Sequence, residues 1–274
     1  MNKVCVVIPI HSPNPSAYEL IAFAQCFKIL NLHPIKVIAP EGISLTNYQQ
    51  VVPDFETIFI HPKWQASLLN YNKLKLSKFF YKLFRNYEFL LTYELDAFVF
   101  RDELAYWCKS GYDYIGAPFF EGYGNATTGS KLMSVGNSGF SLRKVKAFEK
   151  MLRSSPLITP LLTPSELKYD WPQLVRGLSK VPVRFFKRHF QENVIIQEKD
   201  FLLEDTYLLQ VNDQLGKNKL HIAPIQEAVK FSFELRPEYL FTLNNEQLPT
   251  GCHAWVKHNF EFWKPHIRSF GYSV

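Results

Sequence analysis

An α/β fold with a mainly parallel central sheet flanked by helices is the class this sequence predicts, and three observations predict it. The β-branched run KVCVVIPI at 3–10 gives way to the turn-rich HSPNPS. Ala17, Leu20, Ile21, Ala24 and Phe27 then recur at helical spacing, so residues 16–31 read as an amphipathic helix. Two further short apolar runs, 35–39 and 57–60, each stop at a proline, and a fourth, 89–93, ends at a pair of acids. Strands alternating with helices over the first 100 residues indicate βαβ units. In such sheets ligands bind outside the carboxyl ends of the strands, where both HSPNPS and YELD fall.

Between 64 and 86 a helical pattern sets Leu76, Phe79, Phe80 and Leu83 on one face and Lys73, Lys75, Lys78 and Lys82 on the other. A helix is also expected over 142–152. No internal repeat and no low-complexity segment is present. Residues 155–190 contain several prolines and end in KVPVRFFKRHF, where Lys180, Arg184, Lys187 and Arg188 interleave with Val and Phe. That segment reads either as a solvated helix or loop with an apolar side, or as a docking surface for an anionic membrane.

A length of 274 residues suits one large domain or two small ones, and 47% hydrophobic with 20% charged residues is an ordinary globular composition. Aromatic residues reach 16%, which suggests a large core, a stacking surface or both. The net charge of +6 is modest and scattered. It favours small anions or an acidic membrane face, and no dense basic stripe points to nucleic acid. The four cysteines, at 5, 26, 108 and 252, form no CxxC pair, so neither a zinc ribbon nor a redox motif is indicated. Cys5 and Cys26 read as small core residues. The N-terminal apolar run is too short for a spanning helix and lacks a secretory cleavage site, so the cytoplasm is the expected compartment.

The stretch TYELDAF at 92–98 places two carboxylates one residue apart inside an apolar run. Burying an unpaired carboxylate is costly, so either the strand ends there and the acids meet water, or a positive partner sits against them. Alternate strand residues share a face, which aims Glu94 and Asp96 the same way. Two such oxygen ligands suit Mg²⁺ or Mn²⁺, which completes its shell with water and substrate phosphates. The same spacing at Asp54/Glu56 and Glu198/Asp200 shows that chance also produces it. The solvated strand end therefore stays open beside the metal site.

Three further segments carry chemistry. In VGNSGFSLR at 135–143, Gly136 and Gly139 bracket Asn137 and Ser138; glycines allow close backbone approach to a ligand, and Arg143 could meet an anion. An ordinary turn before a helix explains the segment equally. In FLLEDTYLL at 201–209, Glu204 and Asp205 interrupt an apolar stretch, as helix N-terminal charges or as a base. In PTGCHAW at 249–255, His253 stands beside Cys252, which together cannot form a zinc site unaided.

In this order, YELDAF, GYDYIGAPF, VGNSGFSLR, LLEDTYL and PTGCHAW resemble the GT-A-fold nucleotide-sugar glycosyltransferases, and most of all a bacterial group known mainly as a domain of unknown function. The resemblance spans roughly residues 3–258. It implies a single Rossmann-like GT-A domain over 1–274, with 1–100 the nucleotide-binding half and 101–274 the acceptor-binding half and C-terminal extension. It implies Glu94 and Asp96 as metal ligands, with Glu departing from the family's Asp at the first position and leaving Asp96 the safer ligand. His253 matches a histidine that completes the metal site, and imidazole suits Mn²⁺ better than Mg²⁺.

The same resemblance places Gly136, Asn137, Ser138 and Gly139 along the donor-sugar and acceptor pocket, and Pro9 to His11 against the nucleotide base. Asp205, in preference to Glu204, is the implied base of an inverting reaction. Lys73 or Lys75 could approach the diphosphate, unless both simply form the wet face of their helix. Tyr114, Phe119, Phe120, Tyr123 and Trp255 read as core, or as a sugar-stacking platform. The implied activity is transfer of a sugar from a nucleoside-diphosphate donor to a glycan or lipid-linked acceptor in bacterial surface polysaccharide assembly, with possible peripheral contact at the inner face of the membrane. The competing readings are a nucleotide-sugar hydrolase on the same site and a non-catalytic glycan- or nucleotide-binding module.

Overall fold

The computed structural model describes residues 2–153, 171–190 and 203–274. In chain order the first part comprises β1 (Asn2–Pro9), α1 (Ala17–Ile29), β2 (Ile35–Pro40), α2 (Thr46–Gln49), β3 (Glu56–Ile60), α3 (Leu68–Lys75), α4 (Lys78–Leu83) and β4 (Tyr87–Tyr93). Then come β5 (Phe98–Val99), α5 (Leu104–Trp107), β6 (Tyr114–Ile115), β7 (Ala117–Phe120), β8 (Leu132–Gly136), β9 (Phe140–Lys144) and α6 (Val145–Met151). The remainder is α7 (Trp171–Phe190), α8 (Glu204–Asn212), α9 (Ile225–Phe231), β10 (Ser232–Phe233), α10 (Pro237–Leu243), β11 (Gly251–Cys252) and α11 (Phe260–Arg268).

The main sheet has six strands in the order β3-β2-β1-β4-β9-β6. β3, β2, β1 and β4 run parallel, while β9 is antiparallel to both β4 and β6. This is the mixed, mainly parallel α/β sheet that the strand–helix alternation predicts. Along β1 the side chains alternate: Val4, Val6 and Ile8 pack with Phe23 and Cys26 of α1, whereas Cys5 and Val7 face Leu74, Phe80 and Phe84. Burial on both faces explains why the strand reads as a continuous apolar run. α1 starts at a capping box, in which Glu19 N–H donates to Ser16 Oγ (3.2 Å) and Ser16 N–H donates to Glu19 Oε2 (2.7 Å).

Two smaller sheets stand beside the main one. β5 pairs antiparallel with β11, which pairs parallel with β10; β7 and β8 form an antiparallel pair. A third apolar cluster, with Phe98, Phe120, Trp255 and Trp263 fully buried, packs the β10-β11-β5 sheet against α11.

Several expectations shift. The helical pattern over 64–86 is broken into α3 and α4, because the Ser77 hydroxyl donates to Leu74 O (2.7 Å) and accepts from Phe80 N–H (3.1 Å), capping a new helix. Lys75 is buried and belongs to no wet face. The helix expected over 142–152 begins at Val145, since β9 continues to Lys144. All four cysteines are free and buried. Of the proline-rich segment, residues 154–170 lie outside the described residues, as do 191–202; 171–190 is helical, with Pro182 inside it. No helix among the described residues is long and apolar enough to cross a membrane.

Candidate active site

The order of strands reverses between β1 and β4: β2 and β3 extend the sheet on one side, β9 and β6 on the other. Such a switch point leaves a crevice at the carboxyl ends of the strands. Glu94 follows directly after β4, its N–H bound to Gly139 O (2.7 Å) and its carbonyl to Ala97 N–H (2.9 Å), so residues 94–97 turn sharply. β5 then pairs with β11 in the register Cys252↔Phe98. Antiparallel pairing therefore carries His253 back to the turn that holds both acids.

His253 Nε2 lies 3.0 Å from Asp96 Oδ1 and 3.7 Å from Glu94 Oε2. One ligand atom from each of Glu94, Asp96 and His253 falls within 4.8 Å of the others. The opposite ring nitrogen, Nδ1, lies 3.1 Å from Glu234 Oε1. Burial opposes a charge on the ring, but Asp96, Glu234 and Glu94 together hold its pKa well above the usual value. Nε2 is buried, with the two carboxylates as its facing groups among the described residues. Once its proton is displaced, Nε2 offers a lone pair that converges with two carboxylates and fits a divalent cation, so the donor set matches the metal that the resemblance implies.

Glu94 is held from behind by α3. Tyr71 and Lys75, one helical turn apart, both reach Oε1, with the Tyr71 hydroxyl donating at 2.9 Å and Lys75 Nζ at 3.2 Å. Ser138 Oγ reaches the same oxygen at 3.5 Å. Oε1 is thus occupied within the protein, which leaves Oε2 facing His253. Burial acts to raise the Glu94 pKa, yet the Lys75 charge and the bonds from His253 and Tyr71 outweigh it and hold the carboxyl far below its ordinary range.

The glycines of the 135–143 segment approach side chains of the protein itself. A Cβ on Gly136 would lie 2.1 Å from the Phe119 ring, and one on Gly139 would lie 2.1 Å from the His253 ring. Asn137 adopts φ 75°, and its Oδ1 accepts from Phe140 N–H (3.1 Å), which turns Nδ2 toward His253 Nδ1 at 3.0 Å. Arg143, expected to meet an anion, does so inside the protein. It is fully buried, donates from Nε to Ser141 Oγ (3.1 Å) and from Nη1 to the Tyr81 hydroxyl (3.3 Å), and pairs with the Glu204 carboxylate.

The two acids at the start of α8 have different surroundings. Glu204 is fully buried between Arg143 and Lys75, the latter at 3.4 Å, and its N–H donates to Asn72 Oδ1 (2.7 Å). Burial acts to raise its pKa, but the two cations win and lower it. Asp205 accepts from Thr206 N–H at 2.7 Å. Burial, and next the Glu204 charge beside it, push its carboxyl up to about 7 against an ordinary 3.8. Glu234 adds to that rise, and burial, with Asp205 next, raises the Tyr123 hydroxyl pKa.

Pro9 ends β1 and His11 follows two residues later; the β1–β4 register runs as far as Val7↔Thr92, so Pro9 is two residues beyond it, as Glu94 is beyond Thr92. Lys75 sits in the cluster, whereas Lys73 is half-buried on the same helix. Tyr114, Phe119, Phe120 and Trp255 are buried in the core, and of the five aromatics Tyr123 is the one with a larger exposed part. Glu234 and Tyr71 were not expected. The pairing Phe233↔Cys252 sets Glu234 beside His253, a relation between residues far apart in the chain that no local spacing reveals.

Together the switch-point crevice, the carboxylate–imidazole cluster and the buried acid pair define an α/β protein with a candidate metal-assisted catalytic centre. The chain belongs to the family described as "Protein of unknown function (DUF5672)", whose model matches residues 54–253. No curated protein matches it. Among solved structures it is similar to apo mouse xyloside xylosyltransferase 1, at 11% identity and TM-score 0.46 over 92% of this chain and 97% of that one. It is also similar to the galactosyltransferase LgtC with donor and acceptor sugar analogues, at 14% identity and TM-score 0.49 over 97% and 95%. A third is apo glycosyltransferase GlyE of Streptococcus pneumoniae TIGR4, at 13% identity and TM-score 0.46, where 97% of this chain covers 60% of the other.

Proposed function

We propose that the protein is a metal-dependent glycosyltransferase that moves a sugar from a nucleoside-diphosphate donor to a hydroxyl of a glycan or lipid-linked acceptor. The observation that carries this reading is the convergence of Glu94, Asp96 and His253 at the switch point of a mainly parallel sheet. A divalent cation held by Glu94 Oε2, Asp96 and His253 Nε2, Mn²⁺ or Mg²⁺, supplies Lewis-acid stabilisation for the charge that grows on a departing diphosphate. Residues 1–100 form the nucleotide-binding half, with Pro9 and His11 against the base, and 101–274 the acceptor half of one catalytic unit. Asn137 and Ser138, on the tight turn between Gly136 and Gly139, line the space beside the cluster.

Asp205 is the base in this reading. A carboxyl whose pKa lies at about 7 is partly ionised at neutral pH and can take a proton from an attacking hydroxyl as the new bond forms. Glu204 serves as the strut that positions α8, since two cations already occupy its carboxylate. One base facing an acceptor, with departure of the diphosphate from the other side, inverts the configuration at the anomeric carbon.

α7 supports a place at the inner face of the membrane. Trp171, Val175 and Leu178 are 49–77% exposed along one side, and Arg176, Lys180, Arg184, Lys187 and Arg188 accompany a helix that contains no acid. An apolar stripe with basic flanks fits an anionic bilayer surface, and a lipid-linked acceptor in surface polysaccharide assembly accords with that location.

The test is thermal unfolding with UDP, GDP, CMP and dTDP species, each with Mn²⁺, Mg²⁺ or chelator, followed by product analysis with sugar donors. A ligand at 100 times its Kd stabilises by about 2.7 kcal/mol, which is readily seen. A metal-dependent shift that Asp96→Asn abolishes, with transfer down about 10²–10³-fold, is expected. No nucleotide shift, or normal transfer by folded Asp96→Asn, refutes the reading; release of free sugar with water as the only effective acceptor replaces it by hydrolysis.

A further inference from the structure

Glu234 lies outside the triad, yet the fold places it with care. β10 and β11 pair in the register Phe233↔Cys252, and His253 N–H donates to Phe233 O at 2.9 Å, so the residue following each strand stands beside the other. Glu234 Oε1 is 3.1 Å from His253 Nδ1, and Asn137 Nδ2 lies on the same side of the ring. An ionised carboxylate only accepts hydrogen bonds. With a cation in the site, the ring's one remaining proton stays on Nδ1 against the Glu234 carboxylate, and Nε2 is left with the lone pair.

That lone pair faces Asp96 Oδ1 and Glu94 Oε2, which are also acceptors only. Gly139 borders the Cδ2–Nε2 edge of the ring so closely that a Cβ there would lie 2.1 Å from both atoms. An imidazole so fixed is a preorganised nitrogen ligand. Divalent ions differ in how they use one: Mg²⁺ prefers an all-oxygen shell, whereas Mn²⁺ accepts imidazole and later first-row ions bind it more strongly still.

We propose that Glu234 sets the metal preference of this site, because its bond to His253 Nδ1 presents Nε2 as a fixed nitrogen ligand and so favours Mn²⁺ over Mg²⁺. Glu234 is thus a positioning residue. The inference rests on the metal-site reading above, and the experiment separates the two.

Mn²⁺ and Mg²⁺ dissociation constants are measured by calorimetry on the full chain, without nucleotide or sugar, for wild type, His253→Ala, Glu234→Ala and Glu234→Gln. Outer partners of a metal-ligating histidine typically contribute about 10–100-fold in affinity. Glu234→Ala is expected to weaken Mn²⁺ by about 10-fold or more while Mg²⁺ changes by less than about 3-fold, so the Mn²⁺/Mg²⁺ ratio collapses toward that of His253→Ala. Glu234→Gln keeps an acceptor oxygen, which Asn137 Nδ2 and Nδ1–H both orient toward the ring, and falls between. It keeps the test decisive if Glu234→Ala does not fold. Nitrogen hyperfine coupling in the Mn²⁺ spin-echo spectrum is expected in wild type, weakened in the Glu234 variants and absent in His253→Ala. Equal losses for both ions, or an unchanged ratio in a folded Glu234 variant, overturn the inference and leave the metal site standing. Wild type that binds neither ion, or His253→Ala that binds Mn²⁺ normally, overturns the metal reading itself.

Discussion

Asp205→Asn should make the protein more stable, and increasingly so as pH rises. In the fold the carboxyl ionises only at about 7, because burial and the Glu204 charge oppose it; the ordinary value is 3.8. Below about pH 4 both folded and unfolded chains keep the group protonated, and wild type carries no penalty. Between about 4 and 7 the unfolded chain ionises and the folded one does not, so stability falls with pH; above about 7 the loss is complete. At ~1.4 kcal/mol per pH unit, that interval is worth about 4 kcal/mol as an upper bound. Lys75 already offsets part of the electrostatic cost. Asparagine cannot ionise, and its Oδ1 can still accept from Thr206 N–H. Urea unfolding in chelator at pH 5 and pH 8 measures the difference. Asp205→Asn should gain over wild type by about 2 kcal/mol or more between the two pH values while sugar transfer is lost. Parallel stability profiles for the two proteins would refute a raised carboxyl pKa and, with it, the argument for Asp205 as a base poised near neutrality.

Three other perturbations probe separate parts of the molecule. Arg143→Met strips Glu204 of one of its two buried cations and should cost about 3–5 kcal/mol in urea unfolding; a loss below about 1 kcal/mol would mean the pair contributes little. Gly139→Ala drives a methyl into the His253 ring, so Mn²⁺-dependent nucleotide stabilisation should vanish although the protein folds; retained stabilisation would count against His253 as a ligand. Vesicles with about one third anionic lipid should sediment the protein, neutral vesicles should not, and added salt should release it. Equal sedimentation with both would end the electrostatic part of the membrane proposal.

The fold was legible where one physical cause dominates over a short window. β1, β2 and β4 carry buried apolar residues on both faces, and the helix after β1 carries its own capping box, so the strand–helix alternation stands in the sequence. TYELDAF was legible as an anomaly, since acids in an apolar run demand an explanation. What the sequence concealed is pairing. Asp96 meets His253 through the short β5–β11 ladder, and His253 meets Glu234 through β10–β11, two strands of two residues each with no periodic pattern to betray them. Lys75 was misleading for a related reason. Its helix looks amphipathic with a basic face, but two acids from elsewhere in the chain, Glu94 and Glu204, draw that lysine inward.

The adjacent acids of α8 show most sharply what tertiary contacts decide. Consecutive helix residues project about 100° apart, so Glu204 and Asp205 cannot share one environment. The sequence offers two carboxylates in a row and no local reason to separate them. In the fold, Arg143 from β9 and Lys75 from α3 converge on the first and leave the second without a cation in contact among the described residues. A charge fixed by two cations is a poor proton acceptor, while a charge opposed by burial and by its neighbour is a good one, so burial first and the charge kept on Glu204 second raise Asp205. Lys75 also holds Glu94 Oε1, which joins the same strut to the metal-facing acid. The buried cations therefore divide the labour of three carboxylates: one presents a single oxygen outward, one stays charged within, and one is left close to neutrality.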